Sequence, residues 1–348
     1  MPHWPDFTHI CAWLIGAALA LLLTGASAQA PADFKGETIT IQIGYGAGGG
    51  YDTYGRALAR HYGRFIPGNP NVVAKNMPGA GSLRVATHIY NLRAQDPVEL
   101  GMFSASTAME PLMGNEQAKF EAERFGWIGS MNQDISFCGV WQAPGVPTSF
   151  PAMLKQDAPK LIFGSSGTAA ISYQHPLILR NVLGAQIRVI PGYDGQKEVN
   201  LAMQRGEVQG ACGLFVSSIK TQWRSDVEAG RIKLFIQMGP KTTSEFGHVP
   251  SVFDYASNDA DRKVLELHFK QTILGRPLAA SPNLSADRLQ ALRYAFLDTL
   301  RDPEFLADAE KMNLDIDIAT GEEVERILAG FASYPQAIIQ KARAAIGR

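Results

Sequence analysis

Acidic side chains are missing from Thr53 to Gln95, although Arg56, Arg60, Arg64, Lys75, Arg84 and Arg93 lie in that stretch. The gap bears on function because Gly44, Gly46 and Gly49, just ahead of it, satisfy G-x-G-x-x-G. A dinucleotide-binding turn needs an acidic residue about 20 positions later to hold the ribose, and none is there. No lysine follows the glycines, which removes the phosphate loop of nucleotide hydrolases as well. Cysteine is scarce, with 3 in 348 residues and none in C-x-x-C, and the histidines form neither H-E-x-x-H nor a Cys/His spacing. Charge of one sign is not in excess: the formal net charge is −1, which leaves no electrostatic footprint for nucleic acid or an anionic membrane surface. Beyond the N-terminus no apolar run approaches the roughly 18 residues of a membrane span. Gly164 to Thr168 reads GSSGT and not G-x-S-x-G, so the nucleophile elbow of a hydrolase has no motif behind it. Neither a cofactor nor a metal is expected.

The first ten residues also lack Lys and Arg, yet Cys11 to Leu23 (CAWLIGAALALLL) has the length of a secretory core, about 7–15 residues, and is too short to span a bilayer. Ala28, Gln29 and Ala30 then supply small residues at a cleavage site. Residues 1–30 are expected to be a signal peptide, cleaved after Ala30. The remaining chain is long enough for about two domains. It keeps Cys138 and Cys212, which can form a disulfide in an oxidising compartment or remain two buried thiols.

What is present centres on Thr38 to Arg56 (TITIQIGYGAGGGYDTYGR). Ile39, Ile41 and Ile43 alternate with Thr40 and Gln42 as a strand does, and Tyr54, Ala57, Leu58 and Tyr62 recur at helical spacing. Between them the glycines let the backbone take positive φ and let a ligand approach main-chain N–H groups, while the helix start adds unpaired donors and partial positive charge. Gly48, Gly49 and Gly50 are therefore read as an anion seat closed by Asp52 near the N-cap.

The same order of strand, small-residue turn and helix returns along the chain. Leu100 to Phe103 leads into Ser104 and Ser106, and Leu161 to Phe163 into Ser165, Ser166 and Thr168. Arg188 to Ile190 leads into Tyr193 and Asp194, with Asp194 expected to cap the next helix. Lys233 to Met238 is read as a strand returning the chain to the first unit, and the sequence from Asn258 onward as mostly helical packing. Alternating strands and helices imply parallel α/β sheets with ligands at the carboxyl ends of the strands.

Four ordered motifs, Ile41 to Arg60 (IQIGYGAGGGYDTYGRALAR), Asn76 to Gly81 (NMPGAG), Phe163 to Thr168 (FGSSGT) and Pro191 to Gly195 with its Tyr193, resemble the solute-binding proteins of tripartite tricarboxylate transporters, the Bug family of extracytoplasmic receptors. The sequence departs from that family at Gln95 to Val98, at Asp194, where the family has Lys, and in the longer Pro67 to Pro70 connection. The resemblance implies a type II periplasmic-binding-protein fold, with domain 1 formed by residues 31–137 plus 239–348 and domain 2 by 138–238. It implies a monomeric, non-enzymatic periplasmic receptor for a small carboxylate, such as a di- or tricarboxylate or an aromatic acid, delivered to a large and a small membrane subunit. The alternatives are a secreted enzyme using Ser166 or His175, and a ligand receptor for a sensor system. Because neither glycine loop contains Lys or Arg, the carboxylate is expected to be held mainly by neutral donors, with arginine not required. A valine at Gly49 is expected to block its approach and to resist positive φ.

Overall fold

The structure, a computed structural model, describes Met1 and Ala32 to Arg348, so the expected signal peptide and its cleavage site lie outside the described residues. Two sheets organise the chain from Asp33 onward. The first contains β1 (Thr38–Ile43), β2 (Asn71–Asn76), β3 (Glu99–Met102), β4 (Gly126–Ser130), β10 (Pro277–Ala280) and β11 (Ala319–Thr320), in the order β11-β4-β10-β3-β1-β2. The second contains β5 (Ser136–Trp141), β6 (Leu161–Ser165), β7 (Ile187–Pro191), β8 (Gly210–Phe215) and β9 (Ile232–Met238), in the order β7-β6-β8-β5-β9.

β1 buries its three isoleucines, and also Thr40 and Gln42, because it is a central strand paired in parallel on both sides with β2 and β3. The sheets are mixed, not wholly parallel as the sequence suggested. β10 runs antiparallel to both β3 and β4, and β5 runs antiparallel to both β8 and β9. Both antiparallel sets arise where the chain changes sheets: it leaves the first sheet after β4 and comes back only after β9. β9 is therefore an edge strand of the second sheet and not a strand of the first. Three strands are also new relative to the sequence reading, β4 (GWIGS), β10 (PLAA) and β11 (AT), the last two inside a stretch read as helical.

Helices cover both sheets: α1 (Gly50–Tyr62), α2 (Leu83–Tyr90), α3 (Ile171–Asn181), α4 (Gln196–Gln204), α5 (Asp259–Phe269), α6 (Ala286–Arg301), α7 (Pro303–Lys311), α8 (Gly321–Ala332) and α9 (Gln336–Ala345). A capping box at Thr320 and Glu323 starts α8: the Thr320 hydroxyl accepts from Glu323 N at 3.2 Å, and the Glu323 carboxylate accepts from Thr320 N at 2.7 Å. The arginine face of α1 is used for packing. Arg60 pairs with Asp308 at 2.7 Å, and Arg64 with Asp302 and Glu304, so α1 is clamped to α7.

Cys138 on β5 and Cys212 on β8 are cross-strand partners with Cα atoms 4.0 Å apart, and they form a disulfide. With a sequence separation of 74, closure entropy gives a stabilisation of about 4 kcal/mol. Titration of denatured, unreduced protein should therefore find neither thiol free, and Cys138→Ala/Cys212→Ala should lose stability of that order in denaturant unfolding. Two free thiols in the exported protein would contradict the bridge.

Candidate ligand-binding site

A cavity of about 50 Å³ lies between the two sheets, and three helix N-termini reach it. Gly49, Gly50 and Tyr51 come from the start of α1, Ala170, Ile171 and Ser172 from the start of α3, and Gln196 from the first position of α4. The first N–H groups of a helix have no intrahelical acceptor, and its N-terminus carries about half a positive charge, so three convergent ends favour an anion. Tyr45, Ser166, Gly213, Phe215, Ser218 and Arg276 complete the wall.

Arg276 immediately precedes β10 and is fully buried. Its Nη1 donates to Gly275 O at 2.7 Å, and its Nη2 to the hydroxyls of Ser217 at 2.9 Å and Ser218 at 3.3 Å. Its Nε has no hydrogen-bond partner among the described residues. The guanidinium carbon sits 4.7 Å from the Tyr51 ring centre, 5.0 Å from that of Tyr54 and 4.7 Å from that of Phe215, an aromatic cage for a cation. Asp134 is the countercharge, 4.0 Å from Nη2. Burial raises the Asp134 carboxyl above its ordinary range, opposed by Arg276 and by the hydrogen bond from Ser217. The same guanidinium explains Gly50: a Cβ there would lie 2.9 Å from Nη2 and 2.6 Å from the Ser218 hydroxyl. Burial also raises the hydroxyl pKa of Tyr45 and Tyr51, which keeps both as neutral donors.

Of the residues singled out in the sequence, Gly49, Gly50 and Ser166 line the cavity. Gly48 takes positive φ at +82°, and its N–H is used by the Asp52 carboxylate at 2.8 Å. Asp52 is buried; it accepts from Arg56 and Asn76 as well and so fixes the loop without lining the cavity. Ser104 and Ser106 hydrogen-bond each other at 2.8 Å, and Ser106 donates to Ala169 O on the second-sheet side at 2.8 Å. Ser165 is turned onto Ser172 at 3.0 Å, and Thr168 is exposed. Tyr193 packs beside Gly164, and Asp194 is exposed with its carbonyl accepting from Gly46 N at 3.0 Å. Asp194 does not cap α4; Gly195 is the N-cap. Gly49 has φ −83°, so positive φ is not required there, and the tight position is Gly50. The neutral-donor reading also needs correction, since Arg276 stands in the wall. Loop composition carries no trace of it, because it stands just before β10, more than 100 positions beyond either loop. His175 is wholly buried and does not line the cavity. His61, Asp302 and Glu304 lie close together among the described residues, but Arg64 already pairs with both acids.

Two mixed α/β sheets joined by crossing segments, with a cleft lined from both, define the fold of the two-domain periplasmic binding proteins. The structure is similar to that of the periplasmic binding protein BugD, with a TM-score of 0.71 and 17% identity, covering 90% of this chain and 98% of that one. It is also similar to MatC from Rhodopseudomonas palustris with bound malate, with a TM-score of 0.68 and 14% identity, covering 90% of this chain and all of the other. In sequence, it is 27% identical over 203 residues to a UPF0065 protein encoded in the TAR-I ttuE-ttuC' intergenic region of Agrobacterium vitis. That match spans 56% of this chain and 57% of the relative. No family model matches the sequence. The Bug-type resemblance carried by the four sequence motifs thus agrees with the solved structures to which the chain is similar.

Proposed function

We propose that the protein is a periplasmic solute receptor that captures a small carboxylate in the interdomain cleft and delivers it to the large and small membrane subunits of a tripartite tricarboxylate-type transporter. One observation carries the reading: three helix N-termini and a caged arginine converge on one cavity between two sheets. Preorganised donors of this kind hold an anion and need no cofactor. The malate in MatC and the place of BugD among binding proteins support a carboxylate and a receptor. A disulfide supports an oxidising compartment, and with it export and removal of residues 1–30. The two lobes correspond to residues 31–137 plus 239–348 and residues 138–238, and the receptor acts as a monomer.

The reading makes the protein a binder and not an enzyme, with Gly49, Gly50 and Ser166 in contact with the acid and Gly48, Asp52, Ser104, Ser106, Ser165, Thr168, Tyr193 and Asp194 holding the loops around it. Mass spectrometry of small molecules released on denaturing freshly exported protein should identify a carboxylate that rebinds in titration calorimetry. Turnover of that acid, abolished by Ser166→Ala, would replace the receptor with a hydrolytic or transfer enzyme.

A further inference from the structure

We infer that the cavity selects a monocarboxylate whose remainder is apolar, with Arg276 as the group that takes the carboxylate. This rests on the carboxylate-receptor reading and narrows it. Among the cavity-lining residues Arg276 is the one charged side chain, and its positive charge is already shared with Asp134. The Asp134 oxygens are occupied by Ser217, Asn132 and Ile135 N, so Asp134 stays where it is and leaves the Arg276 Nε as the unpartnered donor of the pair. One shared guanidinium answers one carboxylate. Lys197 lies against Gly48 and is exposed, outside the cavity lining.

The rest of the wall offers no second cationic side chain, and each helix N-terminus supplies only about half a charge. Tyr45 and Tyr51 pack ring to ring with centroids 4.6 Å apart, and Phe215, Ile171 and Ala170 add apolar surface. A second ionised carboxylate placed against these groups would lose its water and gain no cation in exchange. A flat or branched apolar body meets the same wall favourably, because aromatic faces accept such groups in stacked or edge-on contact. The hydroxyls of Ser166, Ser172 and Ser218 and the Gln196 amide leave room for one further neutral polar group.

Titration calorimetry on the exported protein with benzoate, 3-methylbutanoate, malate and citrate tests this. Benzoate or 3-methylbutanoate should bind at least about 10-fold more tightly than malate, and citrate more weakly still. Arg276→Gln should weaken the monocarboxylate on the order of 100-fold, the loss typical of a buried charge deprived of its partner. Since that variant also strands Asp134, Ile171→Ser provides an independent arm: it leaves the cation in place and should lower benzoate affinity about 10-fold while narrowing its lead over malate. Malate or citrate binding as tightly as both monocarboxylates would overturn the selectivity and leave the receptor reading standing. Binding of none of the four acids would overturn both.

Discussion

Gly167→Ala should lower ligand affinity by about 100-fold while the protein still folds, because one added methyl blocks the approach of the lobes. A Cβ at Gly167 would lie 2.3 Å from Gly81 N and 2.6 Å from Ala80 C, and a Cβ at Gly81 would lie 2.4 Å from Ala170 N. These are backbone atoms and cannot turn aside, so the clash is relieved only by parting the two loops. Overpacking of this kind costs about 1–3 kcal/mol, and at the upper end that is roughly 100-fold in affinity when binding requires the closed arrangement. Gly167 also has φ +155°, a strain any L residue would feel, so Gly184→Ala serves as control: φ is +84° there, with open space around the Cβ. The control should lose stability and keep its affinity; Gly167→Ala should lose affinity and remain extended in small-angle scattering with saturating acid. A Gly167→Ala protein that binds like wild type would show that the loops need not touch.

His175→Leu should stabilise the protein by about 1–3 kcal/mol near pH 7.5, an unusual sign for a core substitution, because both ring nitrogens of the buried His175 lack a hydrogen-bond partner among the described residues. The ring packs edge-on against Phe269 with centroids 4.8 Å apart, so a leucine of similar bulk keeps most of the contact. Burial, with a smaller effect from His268, lowers its pKa to about 3. The unfolded side chain titrates near 6.5. Below that value the unfolded chain binds a proton that the folded one refuses, so stability present above about pH 6.5 is lost as pH falls toward the folded value. The limiting loss is about 1.4 kcal/mol per pH unit for one group. The advantage of His175→Leu should therefore grow by about 2.5 kcal/mol between pH 6.5 and 4.5. His268, lowered to about 4 by burial, acts in the same direction in both proteins. Glu110 and Asp134, raised by burial, act in the opposite direction, favouring the folded state below their unfolded pKa and losing that effect as pH rises. Both remain in the variant, so the difference isolates His175. Parallel urea-unfolding stabilities across that range would contradict a neutral, unpartnered imidazole.

The glycine loop was legible in the sequence because its signals are local. Alternating isoleucines, a cluster of glycines and a helical repeat lie within one short stretch, and Gly49, Gly50 and Ser166 do reach the cavity. The fold was legible for the same reason, through motifs repeated at strand ends. The cation was hidden because β10 has four residues, too few to show a period, and stands among helices. A signal was nonetheless there: Arg276 is a lone charge inside ILGRPLAA, and a charge in an apolar run needs a buried partner. Ser104, Ser106, Ser165 and Asp194 all carry donors or acceptors at strand ends. Sequence does not say whether these groups face a cavity or each other, and here they are engaged in holding loops together.

The disulfide has a mechanical meaning. The strands next to the two crossings, β5 and β9, pair with each other, and the bond ties β5 to β8, which carries Gly213 and Phe215 toward the cleft. The second lobe therefore has few internal degrees of freedom through which to adapt to one acid or another. In the proposed receptor, whatever occupies the cleft is then expressed as a single variable, the angle between the two lobes. Under the receptor role proposed above, a membrane subunit reading the outer surface receives only that variable, so ligand identity is decoded inside the binding protein and passed on as shape.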